Sequence, residues 1–149
     1  MLISKNGTRA ITKGSAEYFT GDVHVEPFVS TTEPAHVQTS SVCFQPGAHS
    51  AWHTHPLGQI LIVTAGCGVI QCFGEPAQFI GPGDIIWTPP SVKHWHGAVA
   101  YSGMTHISIV ENLDGKGVDW LEHVTDSEYA SGCAQCEIAT SISSNQENK

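Results

Sequence analysis

The stretch Trp52–Gly66, WHTHPLGQILIVTAG, places two histidines and a glutamine at the mouth of an otherwise apolar segment. Read as a strand, it puts Leu57, Gln59, Leu61 and Val63 on one face and Ile60 and Ile62 on the other. Both faces are apolar, so both need cover. A closed or double-layered barrel supplies one side, and an oligomer can supply the rest.

The sequence on either side agrees with that reading. From Val37 onward, short runs rich in Val, Ile, Thr and aromatics alternate with glycine and proline punctuation: QPGAHS, AGCG, FGEPA, IGPGD, TPPSVK, AYSG. Such spacing predicts an all-β barrel or sandwich. No heptad, helical repeat or βαβ alternation competes. The earlier stretch EYFTGDVHVEPFV predicts an outer strand. In DGKGVDWLEHVTDSEYA the chain turns at Asp114-Gly115, and Val118, Leu121 and Val124 then recur at near-helical spacing, which predicts a short covering helix. From about Ser131 the chain is rich in Ser, Asn, Gln and Glu, so residues 131–149 are expected to form a solvated tail on a barrel domain of residues 1–130.

A chain of 149 residues fits one domain that buries about two thirds of its unfolded surface. With 14 acidic against 6 basic residues, its net charge of -8 repels nucleic acid and anionic membrane surfaces. The partner expected is therefore a small molecule. The opening MLISKNGTRA holds no apolar run of signal-peptide length and no segment reaches spanning length, which predicts a cytoplasmic protein. Five cysteines make an odd count, as free thiols in a reducing compartment would. Cys133 and Cys136 stand without a second pair and carry no assigned role.

Alternation gathers the histidines. His53 and His55 share a face, His94 and His96 share a face, and His106 lies with Met104, Ser108 and Val110. If these faces all point inward, five imidazoles converge. Burying them without partners is costly, because each keeps a polar nitrogen that needs a donor, an acceptor or a metal. A metal ion resolves the conflict with the fewest groups. His24, His36, His49 and His123 lack partners at telling spacing and read as ordinary histidines.

The wider spacing sharpens this. Gly47, His53, His55, Gln59 and Gly66 stand at the intervals of the first cupin motif, with glutamine where glutamate is usual. Gly83, Pro89 and His94 follow the second motif, although Ser91 and Ala98 replace its common glycine and asparagine. The chain thus resembles a cupin, a jelly-roll barrel or double-stranded β-helix, here with a short C-terminal covering segment. His53, His55, Gln59 and His94 then form a set of three imidazoles and an amide oxygen around a divalent metal. Neutral donors leave the ion's charge uncompensated and make it a strong Lewis acid. Manganese is the preferred ion and iron the next, with zinc or nickel compatible.

AWHTHPLGQ, VTAGCG, KHWHG, MTH and DGKGVDWLEHVTD together resemble the small bacterial cupins that include manganese-dependent hydroxynitrile lyases. That resemblance implies a lyase that breaks or forms a carbon–carbon bond to cyanide. It also implies catalytic roles for His96 and His106. Near a cation such imidazoles stay neutral and can accept a proton. Ser40, Val42, Phe44, Leu61, Val63 and Val110 are expected to line a small apolar pocket for an aryl or alkyl group. Trp52, Trp87 and Trp95 read as packing residues. A dioxygenase of small aromatic or diketone substrates and a non-catalytic ligand-binding cupin are the competing readings. A dimer or tetramer is expected.

Overall fold

A computed structural model describes the backbone of residues 1–146, and the side chains of all of these except Ser30 and 137–146. The chain opens with β1 (Thr12–Lys13), β2 (Phe19–Thr20), β3 (Val23–Ser30) and β4 (Val37–Phe44). The histidine-bearing middle comprises β5 (His49–Ser50), β6 (His53–Thr54), β7 (Gln59–Gly66), β8 (Gly68–Cys72) and β9 (Gln78–Ile80). The chain closes with β10 (Ile85–Thr88), β11 (His94–Ala98), β12 (Met104–Glu111), β13 (Asp119–Trp120) and α1 (Asp126–Gln146).

These strands pair antiparallel into two sheets. The first runs β1-β3-β4-β12-β7-β10; the second runs β13-β6-β11-β5-β2, with β8 on β11 and β9 on β8. The inward face of the first sheet carries Phe44, Leu61, Val63 and Met104, which pack with Val23, Ile70, Ile80 and Ala98 into one buried cluster. In β7 the predicted alternation is present: Gln59, Leu61 and Val63 are buried, while Ile60 and Ile62 are half-buried on the outside. A register shift between Thr105 and His106 marks a bulge against β7, where His106 faces Val63 and Thr105 faces Ala65. Across it the inward set Met104, His106 and Ser108 stays buried.

A second apolar cluster, Trp52, Val69, Ala77, Trp95, Val124 and Cys136, lies between the second sheet and α1. Thr125 starts that helix through a capping box: its hydroxyl accepts from the Glu128 amide at 3.2 Å, and the Glu128 carboxylate accepts from the Thr125 amide at 2.8 Å.

The structure corrects three expectations. Residues 118–124 are not helical: Asp119–Trp120 forms β13, with Trp120 paired to His53, and the Leu121 amide donates to Trp52 O. Their apolar side chains part accordingly: Val118 faces a cavity, Leu121 is exposed and Val124 joins the helix cluster. The segment from Ser131 is helical through Gln146, and Cys136 is buried against the sheet with Cys133 packed beside it. Trp87 packs on one side only: its indole lies over Gly58, and it remains 56% exposed on β10. The Asp114-Gly115 turn is present, both residues having positive φ within a hairpin closed by Leu113 and Lys116.

Gly66, the last residue of the quoted stretch, has φ +72° and sits against the Gly103 carbonyl, where a Cβ would collide. Gly66→Ala is therefore expected to cost roughly 2–3 kcal/mol. Thermal unfolding should show Tm falling by several degrees. An unchanged Tm would remove the strain argument.

Candidate metal and substrate site

Five histidines and Gln59 meet between the two sheets. His53 and His94 are a register pair on β6 and β11, with ring centroids 4.2 Å apart. His55 lies just past β6, 5.1 Å from His53 and 5.6 Å from His94. His96 stands further along β11 at 5.3 Å from His53, and His106 reaches across from β12 to lie 4.9 Å from His96. Ring nitrogens of His53, His94 and His96 come within 4.8 Å of one another. Gln59, the first residue of β7, brings Oε1 to 3.2 Å from His94 Nε2.

The five rings fall into two groups by what holds them. His53 Nδ1 donates to Ala51 O at 2.9 Å, His55 Nδ1 to Gly117 O at 2.6 Å, and His94 Nδ1 to Val92 O at 3.0 Å. A carbonyl only accepts, so each Nδ1 carries the hydrogen and each Nε2 keeps a lone pair. The Nε2 of His55 is buried with no hydrogen-bond partner. This is the anchoring that metal-bound imidazoles show. His96 and His106 have no such anchor: His96 Nδ1 and both nitrogens of His106 are buried without partners. The donor set of three anchored imidazoles and an amide oxygen fits a divalent cation.

Burial holds these histidines in the neutral form. It lowers His94 to about 4 and His106 to about 4. Burial, reinforced by neighbouring imidazoles, lowers His53 and His96 well below the usual histidine range.

A cavity of about 280 Å3 adjoins the cluster. His53, His55, Gln59, His96, His106 and Ser108 form its polar wall. Ser40, Val42, Phe44 and Val110 line it, whereas Leu61 and Val63 lie in the buried apolar cluster and are absent from the lining. Sharing the Gln59 face predicts both of them there, but β12 brings His106 and Ser108 beside them and those side chains occupy the wall. Sequence reasoning missed Phe19, Val25, Gln38, Val118 and Trp120, which also line the cavity. Trp120 lies 4.9 Å from the His53 ring and stacks on Tyr18 at 4.8 Å. Its pairing opposite His53 is long-range, and only the aromatic in GVDWLEH hints at it. His49 points the other way and stacks on Tyr129 at 4.4 Å.

The family model described as Cupin domain matches residues 40–109. A (R)-mandelonitrile lyase of Granulicella tundricola is 54% identical over 129 residues, which is 87% of this chain and 98% of that protein. The crystal structure of a cupin-like protein from Thermotoga maritima superposes with a TM-score of 0.78 at 40% identity, covering 87% of this chain and 97% of that one. A cupin 2 conserved barrel domain protein from Rhodopseudomonas palustris shares the fold at 16% identity and a TM-score of 0.63, covering 83% and 82% of the two chains.

The neutral histidines set a pH dependence for the metal-free protein. The unfolded chain takes up protons near pH 6.5, while the folded one refuses them until about 4 for His94 and His106. Stability therefore falls as pH drops through that window, by on the order of 3 kcal/mol for each of the two. Urea unfolding of chelator-treated protein at pH 7 and pH 4.5 should show this loss. Equal midpoints would mean that the imidazoles are not buried in the neutral state.

Proposed function

The chain belongs to the cupin family, and we propose that it is a metal-dependent lyase that splits cyanohydrins into an aldehyde and cyanide, and joins them in reverse. The observation that carries the reading is the split of five buried histidines into three anchored by backbone carbonyls and two left unanchored, beside an apolar cavity. The relative that shares 54% of its residues is a (R)-mandelonitrile lyase.

His53, His55, His94 and Gln59 hold the metal. Manganese is preferred, iron next, with zinc or nickel compatible, since the donors are imidazole and amide oxygen. When bound, the ion supplies Lewis acidity that acidifies a substrate hydroxyl without any change of oxidation state. His96, neutral and lining the cavity, accepts the hydroxyl proton. The carbon–carbon bond then breaks and its electron pair leaves with cyanide. His106, its ring 4.9 Å from that of His96, stabilises the departing cyanide, which takes the proton that His96 accepted. Phe44, Val42, Val110 and Trp120 accept the aryl or alkyl group and exclude water.

A second ligand set, His53 with His94 and His96, is favoured by the closeness of their nitrogens. Single alanine variants separate the two. His55→Ala should lose stoichiometric metal. His96→Ala should keep it and lose at least about a hundredfold in turnover, the usual contribution of a general base. The assay is benzaldehyde release from mandelonitrile under anaerobic conditions. Chelation should abolish the release and Mn2+ restore it. Aldehyde formed only with oxygen would point to a dioxygenase, and binding without turnover to a ligand-binding cupin.

We place the protein in the cytoplasm, supported by Cys43, Cys67 and Cys72, which form no disulfide. Among the described residues no helix is long and apolar enough to cross a membrane. We also propose a dimer or tetramer, with a second copy over the outer face of the first sheet. There Ile85 and Trp87 are 71% and 56% exposed, in register with the half-buried Ile62 and Ile60. Light scattering should give a multiple of 15.9 kDa, and Trp87→Lys should shift it toward the monomer.

A further inference from the structure

Gln59 and His94 meet through two acceptors. With the His94 Nδ1 hydrogen given to Val92 O, the Nε2 atom offers a lone pair. The amide oxygen of Gln59, 3.2 Å away, offers another. Both residues are buried. Two lone pairs at hydrogen-bond distance repel, unless a cation accepts from both or the amide turns to present its NH2 instead.

What decides between those orientations is the other end of the amide. Gln59 Nε2 donates to Ser108 Oγ at 3.1 Å, on the adjoining strand β12, where Ser108 stands opposite Leu61 and Val110 opposite Gln59. The hydroxyl is buried at the cavity wall. We infer that Ser108 is a positioning residue: by accepting the amide NH2 it keeps the Gln59 oxygen turned toward the His94 imidazole, so that one metal ion can take both lone pairs. This rests on the ligand set proposed above.

Removing the hydroxyl leaves a buried N–H without an acceptor, which is costly. The lone pair already facing the amide is His94 Nε2. Turning the NH2 toward it would satisfy both groups and withdraw two donors from the metal at once, one rotated away and one occupied. Ser108 thus matters to a glutamine in a way it would not to a carboxylate, because a carboxylate presents oxygen in either orientation. A threonine keeps the hydroxyl and should keep the function.

The test is Mn2+ affinity, measured by equilibrium dialysis with metal analysis, on chains whose folding is checked by circular dichroism. Ser108→Ala should weaken Mn2+ binding about tenfold or more, as loss of a group that orients a metal ligand does. Ser108→Thr should stay within about threefold of the unaltered protein, and Ser108→Ala added to Gln59→Glu should stay within about threefold of Gln59→Glu alone. Unchanged Mn2+ affinity in Ser108→Ala, or an equal loss on both backgrounds, would overturn the inference. Failure of the ligand assignment looks different: His55→Ala would then bind Mn2+ as tightly as the unaltered protein, and the inference would fall with it.

Discussion

Three backbone carbonyls, Ala51 O, Val92 O and Gly117 O, govern the site. By accepting from Nδ1 of His53, His94 and His55, they fix one tautomer and one ring orientation for each. The remaining lone pairs are committed to the interior, where a ring flip would break an anchor to gain nothing. Lone pairs collected in a buried space repel one another and cannot be hydrated cheaply. A divalent cation would turn that liability into a binding site, and burial assists by keeping competing protons away. Structure and chemistry therefore share one cause.

The barrel brings the anchored groups from different places in the chain. His53 and His94 face each other within the second sheet, while Gln59 begins a strand of the first. His55 depends on a carbonyl that arrives sixty-two residues later, from the segment just after the Asp114-Gly115 hairpin. The next residues of that segment put Trp120 opposite His53. Loss of the hairpin would therefore disturb the His55 anchor and the cavity wall together. A cation held by this set would tie the two sheets to each other, adding its binding free energy to that of the fold.

Much of this is legible in the sequence, for reasons of period and spacing. Alternation in QILIVTAG and MTHISIV gives inward faces because the strand period is two, and it places Gln59, His106 and Ser108 correctly relative to their neighbours. Val118, Leu121 and Val124 mislead because three apolar residues at helical spacing look alike whether they share a partner or have three different ones. The helix start is written one step further on, in Thr125 and Glu128, and is obscured by the polarity of the Ser- and Gln-rich residues beyond it. Cys136 and Tyr129 are weak apolar signals, yet they pack against Trp95 and its neighbours on the sheet. Long-range pairing is the part least accessible: nothing local in GVDWLEH says that its tryptophan stands over His53.

The same limit bears on the two roles proposed for one residue type. His94 and His96 are two apart on one strand and share a face, so strand alternation alone does not distinguish them, and only the motif spacing singles out His94. Their surroundings distinguish them too. His94 Nδ1 meets a carbonyl, while His96 Nδ1 meets none and its ring lies edge-on to Phe44 and His106. An imidazole held at one nitrogen is a rigid donor at the other, suited to an ion whose position must not wander. One left free at Nδ1 can take up a proton and adjust its partners as charge moves, which a general base requires. A neutral glutamine completes the division, since a carboxylate would offset part of the cation's charge and weaken its pull on a substrate oxygen. On the proposed assignment, positive charge would lie on the metal side and proton-accepting capacity on the side of His96 and His106, so that a hydroxyl between them would be drawn from both ends.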